Sequence, residues 1–259
     1  MKRKIYDFLQ LREIFHLEFL RWLGRKIKVE YYALKGGVNL RFFFKSIRYS
    51  EDMDLDAQKI KVEELKEAVI TILNTPSFQE HLIPFGIVKV IPPNIKKAKQ
   101  IETTQRFKVH LLTSSGEDLF TKIEFSRRGF KGRVVVQPVS SAVLRAYTLS
   151  PLIVPHYDVQ SAINQKIEAV ITRSVIQPRD IFDLHVLIPQ CNPADTEGIQ
   201  INSAKLKMAS ERILGVGFEQ FRDTVLSYLS QEEQSMYNSK DLWDEIKLRV
   251  TSFIEQLQK

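Results

Sequence analysis

The sequence has very little cysteine, and this scarcity excludes several classes of protein. Cys191 is the single cysteine in 259 residues, so the chain has neither an internal disulfide framework nor a cysteine-rich zinc site. It also lacks any run of about twenty apolar residues of the kind that crosses a membrane. Residues 1–4 lead into a charged helical pattern rather than an apolar secretory segment. We therefore expect a cytoplasmic protein with no membrane partner.

The composition is that of an ordinary globular protein with a basic surface. Hydrophobic residues make up 44% of the chain and charged residues 27%, which is enough apolar material for a sizeable core. The formal net charge is +7. A positive charge of this size suits a polyanionic partner, although proteins that bind no nucleic acid share it.

The pattern changes along the chain and predicts two domains, residues 1–150 and 151–259. In the first, residues 5–28 and 62–73 have helical spacing, and residues 74–77 end the second helix. Strand patterns follow at 87–91, 104–112, 119–125 and 134–136. Residues 138–157, with Pro151 and Pro155, look like a connection. Helices are then predicted at 161–174, 178–187, 203–214, 218–229 and 239–257. His16 lies in the first helix, where we interpret it as a core or boundary residue because no second ligand stands at metal spacing beside it.

A glycine pair lies between a strand pattern and a helix pattern near the start of the chain. Residues 31–34 form a short aromatic and apolar run, Gly36 and Gly37 follow as a turn, and residues 38–45 have helical spacing. Glycines let a backbone approach a ligand closely. The free amides and the dipole of a helix N-terminus favour a phosphate. This stretch therefore predicts a phosphate-binding turn.

Three aspartates alternate with apolar residues directly afterwards. Asp52, Asp54 and Asp56 share one face of a predicted strand, while Met53 and Leu55 face the core. A row of like charges calls for a cation, and Mg²⁺ takes hard oxygen ligands from one or two carboxylates plus substrate phosphates. The alternative is a solvated edge strand with incidental acids. The glycine turn upstream favours the metal site.

A glutamate on a later strand is a candidate third metal ligand. In residues 120–125 the alternation places Lys122 and Glu124 on one face. A carboxylate on a central strand needs a partner because an unpaired buried charge is costly. The metal held by Asp52 and Asp54 would supply one. A salt bridge to Lys122, or exposure on an edge strand, is the alternative.

Charged residues in the predicted helical domain form a second cluster. Lys166 and Arg173 are two helical turns apart and point the same way, and Asp180 and Asp183 share a side of the next helix. The cationic face would meet a triphosphate, with the acids orienting the cations or taking part in the chemistry. The alternative is a helix-helix salt-bridge network that fixes the domain.

These motifs together resemble the AbiEii/AbiGii toxin family of nucleotidyltransferases, the toxin halves of bacterial abortive-infection and toxin-antitoxin systems that act in phage defence. The resemblance spans roughly residues 30–190. It rests on Lys35-Gly36-Gly37-Val38-Asn39-Leu40, on Arg48-Tyr49-Ser50-Glu51-Asp52-Met53-Asp54-Leu55, on Lys166 with Ala169 and Arg173, and on Arg179-Asp180-Ile181-Phe182-Asp183-Leu184. Family members often have Thr-Ala after the glycine pair, where this chain has Val38-Asn39.

The resemblance implies an α+β fold: a minimal, polymerase-β-like nucleotidyltransferase domain with a mixed sheet flanked by helices, followed by a helical domain. It implies that Asp52, Asp54 and Glu124 hold one or two Mg²⁺ ions, and that Lys166 with Asp180 or Asp183 contributes from the second domain. The implied nucleotide-binding residues are Lys35, Gly36, Gly37, Ser50, Lys166, Arg173 and Arg179.

The resemblance also implies a reaction. A nucleoside triphosphate (NTP) would donate its nucleoside monophosphate to an acceptor hydroxyl with release of pyrophosphate, and the basic charge favours an RNA acceptor of tRNA type. A cognate antitoxin is a further expected partner. Two alternatives remain open: a transferase acting on a small molecule or a protein, and a non-catalytic regulator that binds nucleotide or RNA. A Ser/His or Cys/His hydrolase is poorly supported because no glycine-flanked serine elbow is present.

Overall fold

A mixed sheet of eight strands carries the residues of the central motif. The computed structural model describes residues 5–94, 100–191 and 202–257. The strands are β1 (Tyr32–Lys35), β2 (Met53–Ala57), β3 (Ile87–Ile91), β4 (Gln100–Ile101), β5 (Thr104–Thr113), β6 (Asp118–Ser126), β7 (Val134–Pro138) and β8 (Ile153–Tyr157). Their order is β3-β5-β6-β2-β1-β8-β7, with β4 paired to β5. The strands predicted at 87–91, 104–112, 119–125 and 134–136 are confirmed.

Contacts divide the chain into two compact units. The first comprises the described residues up to Phe42 together with Tyr49–Tyr157, and the second comprises Phe43–Arg48 and the described residues from Asp158 onward. The short segment Phe43–Arg48 therefore belongs to the second unit, although its neighbours in sequence on both sides belong to the first.

The register places the predicted carboxylates side by side. Strand β2 runs parallel to β6 with Asp54 opposite Glu124, and antiparallel to β1 with Lys35 opposite Asp54. Opposite residues on paired strands share a face of the sheet. Lys35, Asp54 and Glu124 therefore lie on one face, which we call the open face.

The other face of the sheet forms the core of the first unit. Met53, Leu55, Ile123 and Phe125 are fully buried, as the alternation predicts. The helices of this unit are α1 (Phe8–Lys26), α2 (Gly36–Phe43), α3 (Val62–Asn74), α4 (Pro76–Leu82) and α5 (Ser141–Ala146). The predicted α+β architecture, a mixed sheet flanked by helices, is confirmed.

Helix α1 is shorter than the predicted span of residues 5–28. It begins at Phe8 because Asp7 caps it, accepting a hydrogen bond from the backbone N–H of Gln10 while the Gln10 side chain bonds back to Asp7. Ile5, which the helical pattern included, lies outside the helix and is 92% exposed. The cap therefore outweighs the apolar spacing at this end.

Of two predictions for connecting segments, the helix end at residues 74–77 is confirmed and the connection at residues 138–157 is wrong. Residues 74–77 end α3, but α4 starts at once at Pro76, since proline is well suited to the first turn of a helix. Residues 138–157 are not a connection only. They contain α5 and strand β8, which pairs with β1 and β7 inside the sheet.

The second unit is helical, as predicted. Its helices are α6 (Val159–Thr172), α7 (Pro178–Leu187), α8 (Ser203–Leu214), α9 (Phe218–Thr224), α10 (Gln231–Tyr237) and α11 (Lys240–Gln256). Helix α10 was not predicted, and the helix predicted at 218–229 ends at Thr224 and continues as a 3-10 turn. Trp243 stacks on Phe221 at 4.3 Å between ring centroids in the core of this unit.

Candidate active site

The backbone of Gly36 lies against the carboxylate of Asp54 at the junction of β1 and α2. Gly36 has φ +68°, and a Cβ at this position would lie 3.1 Å from Asp54 Oδ2. A side chain here would be strained by the backbone and would crowd the carboxylate. The glycine is therefore required by geometry, which places the first amides of α2 beside the acid.

The two neighbouring carboxylates each meet a cation on the open face. Asp52 Oδ2 lies 2.8 Å from Lys122 Nζ, and Glu124 Oε2 accepts a hydrogen bond from Arg106 Nε at 2.7 Å. The partner of Glu124 is thus Arg106 on β5, and Lys122 pairs with Asp52 instead. All four side chains are partly exposed.

Asp54 is half-buried and has both of the other acids beside it. Burial raises the pKa of Asp54 above its usual 3.8, and Glu124 and Asp52 raise it further, against the lowering effect of Lys35 and Lys122. The ionised carboxylate therefore costs folding free energy. A cation bound at Asp54 would offset that cost.

The donor chemistry of this cluster fits a divalent metal ion. Asp52 Oδ1 is buried and accepts no hydrogen bond from the described residues. Asp54 adds a half-buried carboxylate of raised pKa, and such hard oxygen donors suit Mg²⁺. In the part of the chain that the structure describes, no three His, Cys, Asp or Glu side chains are arranged as a ready metal site. Asp52, Asp54 and Glu124 thus remain the predicted ligands.

Lys35 is fixed by the third aspartate of the strand. Its Nζ lies 2.5 Å from Asp56 Oδ1, and the Tyr157 hydroxyl donates to Asp56 Oδ2 at 2.6 Å. Asp56 is buried, and an unpaired buried charge would be costly. Lys35 and the Tyr157 hydroxyl supply the partners that its carboxylate needs. Ser50 is half-buried two residues before Asp52. Asp56 therefore positions Lys35 at the edge of the carboxylate cluster.

The residue pair that departs from the family pattern has a structural explanation. Asn39 is buried, donates to the carbonyl of Tyr157 at 3.1 Å, and its Oδ1 lies 2.9 Å from His156 Nδ1. Asn39 therefore ties α2 to β8 through two hydrogen bonds that a side chain without an amide could not make.

A neutral hydrogen-bond relay, which the sequence did not reveal, supports the peptide before Asp52. The Thr121 hydroxyl donates to the carbonyl of Glu51 at 2.7 Å, and His16 Nε2 lies 2.9 Å from the same hydroxyl oxygen. Because the hydroxyl has one hydrogen, His16 must be the donor of the second bond. Burial, together with the smaller effect of the Arg12 charge, lowers the pKa of His16 to about 3. His16 is thus a neutral core histidine, as predicted, and it orients Thr121.

The predicted residues of the second unit gather around Arg48. The Arg48 guanidinium, 5% exposed, donates to both oxygens of Asp183 at 3.0 Å. Lys166 Nζ lies 2.6 Å from Asp183 and 3.0 Å from Asp180. Both aspartates are fully buried. The cluster therefore binds the segment Phe43–Arg48 to helices α6 and α7.

The charges in this second cluster are stabilised by one another. Burial raises the pKa of Asp183, but Arg48 and Lys166 outweigh it and hold that pKa below 3.8. Burial likewise opposes the charge of Lys166, yet Asp183 and Asp180 raise its pKa above 10.5. The helix-helix salt-bridge network, which is the alternative that the residue spacing offers, is therefore present. A direct part of Lys166, Asp180 or Asp183 in the chemistry stays a prediction.

The two remaining predicted arginines differ in their surroundings. Arg173 directly follows α6, and its Nη1 lies 2.7 Å from Asp180 Oδ2, with the side chain 37% exposed. Arg179 is exposed near the start of α7. Arg173 thus belongs to the ion network, while Arg179 faces solvent.

Comparisons with known proteins bear on the identity of the chain. A family model described as the nucleotidyl transferase AbiEii toxin of type IV toxin-antitoxin systems matches residues 19–256. No curated protein matches the sequence. Among solved structures, JHP933 from Helicobacter pylori is 18% identical with a TM-score of 0.56, and the match covers 98% of this chain and 94% of that one.

A second solved structure has the same fold. MenT4, a nucleotidyltransferase toxin from Mycobacterium tuberculosis, is 14% identical with a TM-score of 0.59, over 96% of this chain and 84% of that one. Every helix in the described residues is too short or too polar to span a bilayer. The family model covers most of the sequence, and the resemblance inferred from the motifs is confirmed. The chain belongs to the AbiEii family of nucleotidyltransferase toxins of type IV toxin-antitoxin systems.

Proposed function

We propose that this protein transfers a nucleoside monophosphate from an NTP to an acceptor hydroxyl with the help of Mg²⁺, that the acceptor is an RNA of tRNA type, and that the reaction makes it the toxin of an abortive-infection pair. One observation carries the proposal: the backbone of Gly36 lies against the Asp54 carboxylate, with Asp52 and Glu124 beside it. Phosphate-binding amides and metal-binding acids thereby meet in one place.

Asp52, Asp54 and Glu124 would hold the metal. Bound Mg²⁺ supplies charge neutralisation for the phosphates during transfer. The chain contributes position and pre-set charge. Asp54 contributes a half-buried carboxylate whose pKa is raised, so a cation would stabilise its ionised form. Asp52 contributes an oxygen that accepts no hydrogen bond from the described residues.

The nucleotide would be held by the glycine turn and by cations. The backbone amides directly after Gly36 belong to the N-terminus of α2, and a helix N-terminus favours phosphate. Lys35, aligned by Asp56, adds a positive charge next to the turn, and the Ser50 hydroxyl is a further donor on the approach to Asp52. These groups orient the triphosphate so that the acceptor oxygen can attack in line.

The bond changes are those of phosphoryl transfer. The acceptor oxygen forms a bond to the α-phosphorus while the bond from that phosphorus to the bridging oxygen breaks, and pyrophosphate leaves. Glu124 accepts the proton of the attacking hydroxyl. Its carboxylate is partly exposed, so an acceptor hydroxyl can reach it, and Arg106 fixes its orientation.

In the second unit we propose that the ion network acts through Arg48. Lys166 and Asp183 fix Arg48, which stands four residues before Asp52 in the sequence. Because Arg48 is held in place, the residues between it and Asp52 can adopt fewer conformations. Arg173 and Arg179 remain the candidates for triphosphate contact because both reach solvent.

The acceptor and the partner are inferred from charge and family. A net charge of +7 favours a polyanionic acceptor, and RNA is one that offers hydroxyls, at its 3′ end and on each ribose. A type IV toxin implies an antitoxin partner. The reaction on RNA would then be the toxic event that the antitoxin counters.

The test is transfer of label from each NTP in turn into total bacterial RNA with Mg²⁺. We expect label in tRNA-sized RNA with the parent protein and none with the Asp52→Asn/Asp54→Asn variant. Asp118→Asn is the matched control, since Asp118 is an exposed acid on the same sheet face and pairs with His110. Label that appears only in protein or in a small molecule would overturn the RNA acceptor. Absence of transfer and of Mg²⁺-nucleotide binding would overturn the transferase.

A further inference from the structure

The connection from β6 to β7 runs over the open face of the sheet. These strands are separated by β2, β1 and β8, a distance of four strand spacings. At about 4.8 Å per spacing the gap is about 19 Å. Residues 127–133 must bridge it, and a fully extended chain of that length reaches about 25 Å. This connection, the crossing loop, therefore has little slack and follows a nearly direct path.

Two contacts fix where the crossing loop passes. The backbone N–H of Lys131 donates to the Tyr157 hydroxyl at 2.9 Å, and the Phe130 ring meets the Tyr157 ring edge-on at 6.4 Å. Tyr157 in turn donates to Asp56, on the face that carries Asp54. The crossing loop therefore lies above the open face, next to the carboxylate cluster.

The crossing loop is strongly basic. It contains Arg127, Arg128, Lys131 and Arg133 and no acidic residue. Arg127 is used for anchoring, since it donates to the Ile60 carbonyl at 2.6 Å and to Gln105 at 3.0 Å. Arg128, Lys131 and Arg133 are exposed. The crossing loop therefore carries three exposed cations within six residues.

The shape of the crossing loop depends on its glycines. Gly129 has φ +78° and Gly132 has φ +123°, conformations that other residues rarely adopt. These glycines flank Phe130 and Lys131, the residues that contact Tyr157. The sequence therefore fixes the path of the crossing loop, and with it the placement of the cations.

We propose that the crossing loop binds the phosphodiester backbone of the RNA acceptor. The inference rests on the proposed transferase function and names the element that receives its polyanionic substrate. Charge complementarity selects the ligand, because a row of exposed cations without acids suits successive phosphates. Flexible Arg and Lys side chains neutralise phosphates without reading bases, so we expect binding with little sequence preference.

The test compares two triple variants of equal charge change. Arg128→Gln/Lys131→Gln/Arg133→Gln alters the crossing loop, and Lys205→Gln/Lys207→Gln/Lys240→Gln removes three exposed lysines of the helical unit. Affinity for fluorescently labelled bulk bacterial tRNA is measured by anisotropy over a range of salt, and affinity for Mg²⁺-ATP and the other nucleotides by calorimetry. Circular dichroism melting confirms that each variant is folded.

We expect the loop variant to bind tRNA about tenfold or more weakly at about 0.1 M salt, with a salt slope smaller by about 2 to 3. The lysine control should keep the parent slope, and nucleotide affinity should be unchanged in both. Arg128→Gln alone should lower the slope by about 1. This single change keeps the result interpretable if the triple variant unfolds.

Three results would overturn the proposal. Equal losses in both triple variants would show a general effect of net charge. Weakened nucleotide binding with unchanged tRNA binding would assign the crossing loop to the triphosphate. A parent protein that binds no tRNA would also refute it, whereas Asp54-dependent transfer to another acceptor would leave the transferase itself intact.

Discussion

The protein holds two clusters of carboxylates whose surroundings are opposite in character. In the sheet unit, Asp54 is crowded by other acids and its pKa is raised by burial. In the helical unit, Asp183 is also buried, yet Arg48 and Lys166 lower its pKa. The positive charge around Asp54 is therefore too small to stabilise its ionised form fully, whereas the charge of Asp183 is matched by its cations.

The supports of the two clusters differ in the same way. The peptide before Asp52 is held by a relay of neutral groups, His16 and Thr121, which adds no charge beside the acids. Asp183 is held by ion pairs alone with its cations. Asp52 and Glu124 each have a cationic partner, so the shortage of positive charge in the first cluster falls on Asp54, and a bound metal ion would relieve it. The charge of Asp183 is already matched by its cations, as expected of an acid that fixes the fold. We therefore predict cation binding at Asp54 and an architectural role for Asp183.

Replacing Asp54 should give the largest effect. Asp54→Asn should reduce nucleotide transfer by about a thousandfold or more, since several kcal/mol of charge stabilisation depend on the metal. It should also raise the melting temperature at pH 7. The pKa of Asp54 is raised above 3.8, so its ionised form costs stability above that pH, and the gain of the variant should vanish below about pH 4. A lower melting temperature at pH 7 would break the comparison.

Replacing Asp183 should have the opposite sign on stability. Asp183→Asn leaves Arg48 and Lys166 buried without their shared partner and should cost about 3–5 kcal/mol of unfolding free energy, measured in urea. Asp223→Asn is the control, because Asp223 pairs with Arg222 on the surface of α9 and its loss should barely move the midpoint. A stable Asp183→Asn protein that has lost only transfer would place Asp183 in the chemistry.

The placement of Asp52, Asp54 and Glu124 on one face of the sheet was predictable because the sequence signals for it are local. Alternation along Asp52, Met53 and Asp54 fixes which side chains share a face, and the glycine pair marks the junction within a few residues. The same period placed Glu124 correctly on its strand. Patterns of this kind depend only on neighbours in sequence, so a single chain is enough to show them.

The partners of these residues were not predictable because they are distant in sequence. Arg48 meets Asp183 across 135 positions, and His16 meets Thr121 across 105. Glu124 likewise takes Arg106 rather than the adjacent Lys122. No periodicity connects such residues; the tertiary fold alone selects among the many cations and hydroxyls available.

Strand β8 was misread for a different reason. Pro151 and Pro155 made residues 138–157 look like a connection, because proline lacks the N–H that an inner strand donates. Pro155 nevertheless lies inside β8, opposite Val136 of the edge strand β7. Since β8 meets β1 only around His156, the ladder on that side tolerates the proline.

The neutral relay offers a finer test of the comparison. Thr121→Val keeps the shape of the side chain but removes the donor to Glu51 and the acceptor for His16. We expect a loss of about 1–3 kcal/mol in stability, as for buried polar groups left unpaired. Transfer should need more Mg²⁺ because Asp52 is less well placed. Thr121→Ser restores the hydroxyl and should recover the Mg²⁺ dependence; a Val variant with the parent's Mg²⁺ dependence would show that the relay does not position Asp52.

The smallest effect should be a pH dependence that belongs to the sheet unit. The pKa of His16 is lowered from 6.5 to about 3, so the folded state holds it neutral while the unfolded chain takes up a proton below pH 6.5. The stability this contributes is complete above pH 6.5 and is lost as the pH falls toward 3. Between pH 7 and 5.5 we expect a loss of about 1 kcal/mol. His16→Gln keeps an N–H donor for Thr121 and does not titrate, so the difference between parent and variant in urea unfolding isolates this group. If both lost the same stability over this range, His16 would be protonated in the folded protein, and the acids beside the relay would have a compensating cation after all.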